Sequence, residues 1–242
     1  MAGHFEPLPG GGAMVALDDV EISILRSLAV QLLELIGPGT EPVEGHDPLD
    51  ALFAEGPTKP PADPALARLF PDAYGGPGQK LGADEEAAAQ AASSEFRRYT
   101  ENDLRARKRE DALAVVRGLD ALARSGAGAG TGTETGAEAE GAEAEGAEAE
   151  GVGVEDAEAE GAETEGVEAG TGVLELSPEQ SRQWLGALND LRLAIGTRLE
   201  VTDEDDGGEL LRLPDSDPRK PMVMAYFWLG GLQETLVETL MP

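Results

Sequence analysis

Six of the chain's 18 Lys and Arg residues fall between positions 97 and 109: Arg97, Arg98, Arg105, Arg107, Lys108 and Arg109. Guanidinium groups at this density offer charge-assisted hydrogen bonds to carboxylates or phosphates. Glu101 and Asp103 are interspersed, with Glu95 and Glu110 at the edges. On a helix Arg98, Arg105 and Arg109 lie near one face together with Glu101, and Arg97–Glu101 and Glu101–Arg105 are four apart, close enough to pair. Two readings follow: a solvated helix surface that pairs with itself, or an exposed face that docks an acidic protein or the chain's own acidic stretch. The six cations are the candidate partner-contact residues. Direct DNA binding is disfavoured, because the cluster is of mixed sign, lacks interleaved aromatics and sits in a chain of net charge −30.

Other chemistry is weaker. Asp203-Glu204-Asp205-Asp206-Gly207 suggests calcium but lacks the EF-hand register, and reads as a solvated loop. His4 and His46 have no zinc spacing. With no cysteine there is no thiolate ligand, disulfide or thiol nucleophile. No phosphate-cradling loop followed by Lys, dinucleotide fingerprint, nucleophile elbow or His-based protease motif is present. The expectation is a protein that is not an enzyme and holds no cofactor or metal. Trp184, Tyr226, Phe227 and Trp228 read as core rather than as a cofactor platform.

The elements that would position these residues are mostly helical. Phe5–Leu17, with Gly10, Gly11 and Gly12 as the turn, suits a short hairpin or a loose arm. Asp18 and Glu21 form a capping-box pattern ahead of Ile24, Leu25, Leu28, Leu32, Leu35 and Ile36, and Gly37-Pro38 stops that helix. Asp47-Pro48 and Asp63-Pro64 each open a short helix. A long helical tract over 84–125 carries an intermittent apolar face of Phe96, Leu104, Ala112, Leu113, Val116, Leu119 and Leu122, and Gly126 suits its stop. Val173–Leu176 is extended. Ser177-Pro178-Glu179-Gln180 starts a helix lined by Trp184, Leu188, Leu191, Ile195 and Leu199. Leu210–Leu213 reads as a strand or an irregular strip, and Pro221 opens the last helix.

Residues 126–172 contain 14 acidic residues and no Lys or Arg, with Gly-Ala-Glu-Ala-Glu repeated at 136, 141 and 146. Side chains this small bury too little to offset an ordering entropy of roughly 1–2 kcal/mol per residue. A disordered acidic linker is expected. The fold expected is therefore mainly α: residues 1–125 and 173–242 form one discontinuous helical domain, with a short N-terminal β-hairpin, interrupted by the linker at 126–172. The N-terminus carries no targeting pattern and no apolar run reaches a membrane span, so a cytoplasmic, non-membrane protein is expected.

Several blocks occur in a familiar order: Gln31-Leu32-Leu33-Glu34-Leu35, Glu95-Phe96-Arg97-Arg98-Tyr99-Thr100-Glu101 with Leu104-Arg105, Gln183 to Arg192, and Tyr226-Phe227-Trp228-Leu229 with Leu232-Gln233-Glu234. Together they resemble the actinobacterial oxidative-stress transcriptional regulator family, AosR, over about residues 14–124 and 173–242. The resemblance implies a cytoplasmic regulator that acts on transcription through a protein partner, an alternative sigma factor or RNA polymerase. It also implies that the acidic repeat is an insertion within one domain. The thiol switch associated with the family has no place in a cysteine-free chain. The competing reading is a non-catalytic adaptor, for instance in protein quality control.

Overall fold

A computed structural model describes residues 3–38, 55–76, 81–129, 171–202 and 208–241. Strands β1 (Phe5–Pro7) and β2 (Ala13–Asp18) form the expected hairpin, with Phe5 opposite Val15 and Pro7 opposite Ala13. Its turn needs glycine: Gly10, Gly11 and Gly12 have φ of 97°, 93° and 95°. β3 (Thr171–Leu176) pairs antiparallel with β2, Ala13 opposite Leu176 and Asp18 opposite Thr171, giving the sheet order β1-β2-β3. The chain on either side of the acidic repeat thus shares one sheet.

β2 runs straight into α1 (Asp19–Ile36). Asp18 Oδ1 accepts from the Glu21 amide at 2.7 Å and Glu21 Oε2 accepts from the Asp18 amide at 3.0 Å, so the predicted capping box is formed. Such a cap contributes on the order of 1 kcal/mol. α2 (Pro64–Leu69) has Asp63 accepting from the Leu66 amide at 2.9 Å. α3 (Ala83–Ala129) is a 47-residue helix, about 70 Å long at 1.5 Å per residue. α4 (Pro178–Arg198) starts on the reciprocal Ser177–Gln180 cap, at 3.2 and 2.9 Å. A single helical turn, α5 (Gly208–Leu211), precedes α6 (Lys220–Leu240).

The helices α1, α3, α4 and α6 enclose one apolar core with the sheet on it. Leu25, Leu32 and Leu119 come from before the repeat, and Trp184, Leu188, Leu229 and Leu232 from after it. Trp184 is at its centre, edge-on to Phe5 with ring centroids 6.1 Å apart. The fold is mainly α, as the helical periodicity predicts.

Several expectations are corrected. α3 does not stop at Gly126 but continues to Ala129, and β3 begins at Thr171, because its first residues already pair with Asp18 and Leu17. Leu210 and Leu211 are helical rather than extended: the Arg212 amide donates to the Glu209 carbonyl at 3.2 Å, closing a short turn that buries Leu210. The expected Asp47-Pro48 helix, His46, residues 203–207 and residues 130–170 of the acidic repeat lie outside the described residues.

Candidate functional site

The cation cluster is placed by the phase of α3. From Ala112, Val115 and Leu119, which are fully buried, the inward stripe runs back through Lys108, Arg105, Glu101, Arg97 and Ser93 at steps of three and four. This half of the stripe faces the protein and is polar. Arg97 is 4% exposed and Glu101 3%. Phe96 and Leu104, expected on the apolar face, lie instead 48% and 39% exposed on the outer side.

Each inward cation meets a specific acceptor. Arg97 donates to the Phe70 carbonyl at 3.0 and 3.1 Å, to Asp72 at 2.8 Å and to Glu101 Oε2 at 2.5 Å. Phe70 is the C-cap of α2, so Arg97 fastens that helix end to α3. Arg105 donates to Glu101 Oε1 at 2.7 Å and to the Ile36 carbonyl, and its guanidinium lies 4.5 Å from the Phe70 ring centroid. Arg109 donates to the Gly37 carbonyl. Lys108 Nζ reaches Asp190 of α4 at 2.6 Å. Glu101 thus accepts from an arginine on each oxygen, which is how a nearly buried carboxylate is satisfied.

These contacts set the local protonation. Burial alone would lower the Arg97 guanidinium, but its hydrogen bonds to Asp72 and Glu101 outweigh this and hold it above its ordinary value. Burial pushes the Asp190 carboxyl above the usual range, against the Lys108 hydrogen bond and charge. Burial likewise raises Asp111, one turn from Lys108.

The remaining two residues of the set lie elsewhere. Arg98 points outward to Glu55 at 2.7 Å and Glu95 at 3.5 Å, with its guanidinium 5.0 Å from the Tyr99 ring centroid. Arg107 is exposed and acts electrostatically on Asp111. The expected outward docking ridge is therefore not formed. Arg97, Arg105, Lys108 and Arg109 are drawn inward by helix ends and buried carboxylates, which are stronger acceptors than water-exposed ones.

The open surface of the molecule is of another kind. α1 and α6 both pack on α4 and leave a groove of about 740 Å³ between them. Leu191, Ala194 and Ile195 of α4 line its floor, Ile24, Leu28 and Leu35 one wall, and Met222, Met224 and Trp228 the other.

The family described as Domain of unknown function (DUF2017) matches residues 2–240. The chain belongs to this family. Among relatives of this DUF2017 chain, the oxidative stress regulator AosR of Mycobacterium tuberculosis is 44% identical over 70 residues, covering 29% of this chain and 30% of the relative. The same figures hold for AosR of Mycobacterium bovis, so the match spans under a third of either regulator. The Mycobacterium leprae protein named "Putative oxidative stress regulator AosR" is 28% identical over 228 residues, covering 91% of this chain and 79% of the relative. No solved structure matches the chain significantly.

For the other predicted candidates, the DUF2017 structure gives plain placements. His4 is exposed and lies 3.1 Å from Glu6. Among the described residues no group of three or more His, Cys, Asp or Glu side chains is placed to hold a metal, and no helix is long and apolar enough to cross a membrane. Trp184 is core, as expected, and Tyr226, Phe227 and Trp228 are partly buried and pack against that core, Trp228 also forming part of the groove wall. The groove escapes a reading by periodicity because Ile24 and Leu28 fall in the same helical stripe as the buried Leu25 and Leu32. Only the separation of α1 from α6 across α4 leaves them open.

Proposed function

We propose that this chain is a non-catalytic cytoplasmic regulator that acts on transcription during oxidative stress by binding a protein partner, such as an alternative sigma factor or RNA polymerase. The observation that carries this reading is the alignment across nine-tenths of the chain with the Mycobacterium leprae protein named "Putative oxidative stress regulator AosR". Two structural features support it. The inward cations Arg97, Arg105, Lys108 and Arg109 are engaged within the fold, which weakens the case for phosphate-backbone contacts. The groove beside α4 supplies an apolar surface suited to a protein contact. A cysteine-free chain cannot sense oxidant through a thiol, so this reading assigns no sensing residue to the chain itself.

The test is affinity purification of the full chain from oxidant-treated and untreated actinobacterial cells. Recovery of a sigma factor or RNA polymerase subunits, changed by oxidant, supports the reading. Recovery of a protease or chaperone in their place would assign an adaptor in protein quality control. Direct binding to DNA with a steep salt dependence would replace both.

A further inference from the structure

We infer that the groove between α1 and α6 is the docking site for a cationic amphipathic helix of the partner. This rests on the reading of the chain as a partner-binding regulator and names the surface and the partner's chemistry. The groove has the form of a missing helix: α1 and α6 flank α4 without closing over it, and the lined part of α1, from Glu21 to Leu35, rises about 21 Å. A helix of four to five turns laid there would cover the exposed wall residues Ile24, Met222 and Met224 above the floor of α4. Its anchors would recur at helical spacing.

The walls are apolar and adaptable. Ile24 is 43% exposed and Met224 53%, and both line a groove whose floor is buried. Thioether side chains such as Met222 and Met224 can reshape around different anchors. Few polar groups line the site, mainly Glu21, Gln31 and Arg198. A small ligand would want several converging polar groups to orient it, whereas a helix satisfies its own backbone and needs only an apolar trough.

Charge selects the occupant's sign. The lining itself is balanced, one acid (Glu21) and one base (Arg198), so the sign is set by what surrounds it: α1 carries Asp19, Glu21 and Glu34 against a single cation, Arg26, which is tied to Asp120 of α3 at 2.6 Å. The whole chain, at −30, attracts cations over long range and repels a second copy of itself. The occupant therefore presents Leu or Met to the floor and Lys or Arg along the α1 wall. This inverts the partner that the arginine cluster suggests in the bare sequence.

The probe is a synthetic peptide about five turns long, with Leu on one helical face and Lys on the other, titrated into the full chain by calorimetry and far-UV circular dichroism. Two controls accompany it: the same composition scrambled to destroy the apolar face, and the amphipathic peptide with Glu in place of Lys. The amphipathic Lys peptide should bind and gain helix, and both controls should bind at least tenfold more weakly. Met224→Glu and Ile24→Glu, both at exposed positions, should each weaken binding roughly tenfold or more while leaving the melting curve of the free chain in place. The sign is informative, because an added carboxylate strengthens any purely electrostatic attraction of Lys to the chain. Unchanged or tighter binding by the two variants overturns the proposal, as does equal binding of the scrambled peptide. A chain that sediments as a dimer, is made monomeric by Ile24→Glu and does not release its second copy to the peptide would give the groove to self-association instead. Failure of the peptide alongside recovery of a sigma factor or polymerase that Met224→Glu does not release would remove this site and leave the regulatory reading standing.

Discussion

Arg105 of α3 donates a guanidinium hydrogen bond to the main-chain carbonyl of Ile36, the last residue of α1. The last turn of α1 contains no basic residue of its own. Its unpaired carbonyls and the negative end of its dipole are met from another helix, by Arg105 at Ile36 and Arg109 at Gly37. The arginine also closes one side of Glu101 and covers the Phe70 ring. Arg105→Met keeps the stem and removes these bonds. It should cost ~2–4 kcal/mol in urea unfolding followed by tryptophan fluorescence. A loss under about 0.5 kcal/mol, the usual range for a surface site, would mean that these bonds do not hold the fold.

Arg98 supplies the contrast. Its ion pairs with Glu55 and Glu95 are largely solvent-facing, with the glutamates 58% and 59% exposed. Arg98→Met should change stability by less than about 1 kcal/mol. The two variants together separate docking from folding: a charge reversal at Arg105 that abolishes partner capture also breaks its bonds to Glu101 and Ile36, so of the six cations only Arg98 and Arg107 can report on contact with a partner.

Glu101 carries the sharpest demand. It is 3% exposed and pairs with Arg97 at 2.5 Å and Arg105 at 2.7 Å. Glu101→Ala leaves two guanidinium groups, one of them buried, without their carboxylate, and should destabilise the chain by about 3–5 kcal/mol. Pairing it with Arg97→Met in a double-mutant cycle should cost less than the sum of the two, since the second change removes a buried charge that Asp72 and the Phe70 carbonyl alone would be left to meet. Strictly additive losses would argue against direct coupling.

The sequence made the helix starts and the hairpin legible, because they depend on local chemistry. Asp18 and Glu21, Ser177 and Gln180, Asp63 before Pro64, and three glycines in a row each satisfy backbone groups within a few residues. The inward direction of the charges was hidden because periodicity searches look for apolar stripes. Extending the phase of Ala112, Val115 and Leu119 back by threes and fours lands on Lys108, Arg105, Glu101 and Arg97, so the signal was present. It was readable only by accepting that a buried stripe can be ionic. What no local pattern contains is the acceptors themselves. The ends of α1 and α2 and Asp190 reach α3 from 25 to 82 residues away, or are reached by it across the fold.

The Lys108–Asp190 pair makes stability depend on pH in an unusual sense. Most paired carboxylates, such as Asp120 beside Arg26, have a lowered folded-state pKa and lose their contribution as pH falls. Asp190 is the reverse, because burial raises its folded pKa above the unfolded value. The native state then holds the proton more tightly, so this contribution is complete below the ordinary carboxylate range and fades as pH rises through the raised pKa. Asp190→Asn removes that titration. The difference in unfolding free energy, wild type minus Asp190→Asn, should therefore decline with rising pH across and just above the ordinary carboxylate range. A difference that grows with pH there would show that the Lys108 charge outweighs burial.

Gly12 joins the hairpin to the segment beyond the repeat. Its φ is +95°, and a Cβ placed on it would lie 2.2 Å from the Leu176 carbonyl oxygen, at the end of β3 where Leu176 faces Ala13. Backbone, not a flexible side-chain tip, occupies that space. Gly12→Ala therefore meets both a disfavoured backbone conformation and a contact that only separation of β2 from β3 can relieve, and should cost more than about 2 kcal/mol. Gly10 has nearly the same φ, +97°, but nothing lies within 4 Å of its added Cβ. Gly10→Ala should cost only the conformational part, on the order of 1 kcal/mol. Hydrogen exchange at the β3 amides distinguishes the two: protection should fall sharply in Gly12→Ala and persist in Gly10→Ala. Equal protection in both would mean that the two halves of the sheet tolerate a side chain at their closest approach, and that the pairing of β2 with β3 does not depend on Gly12.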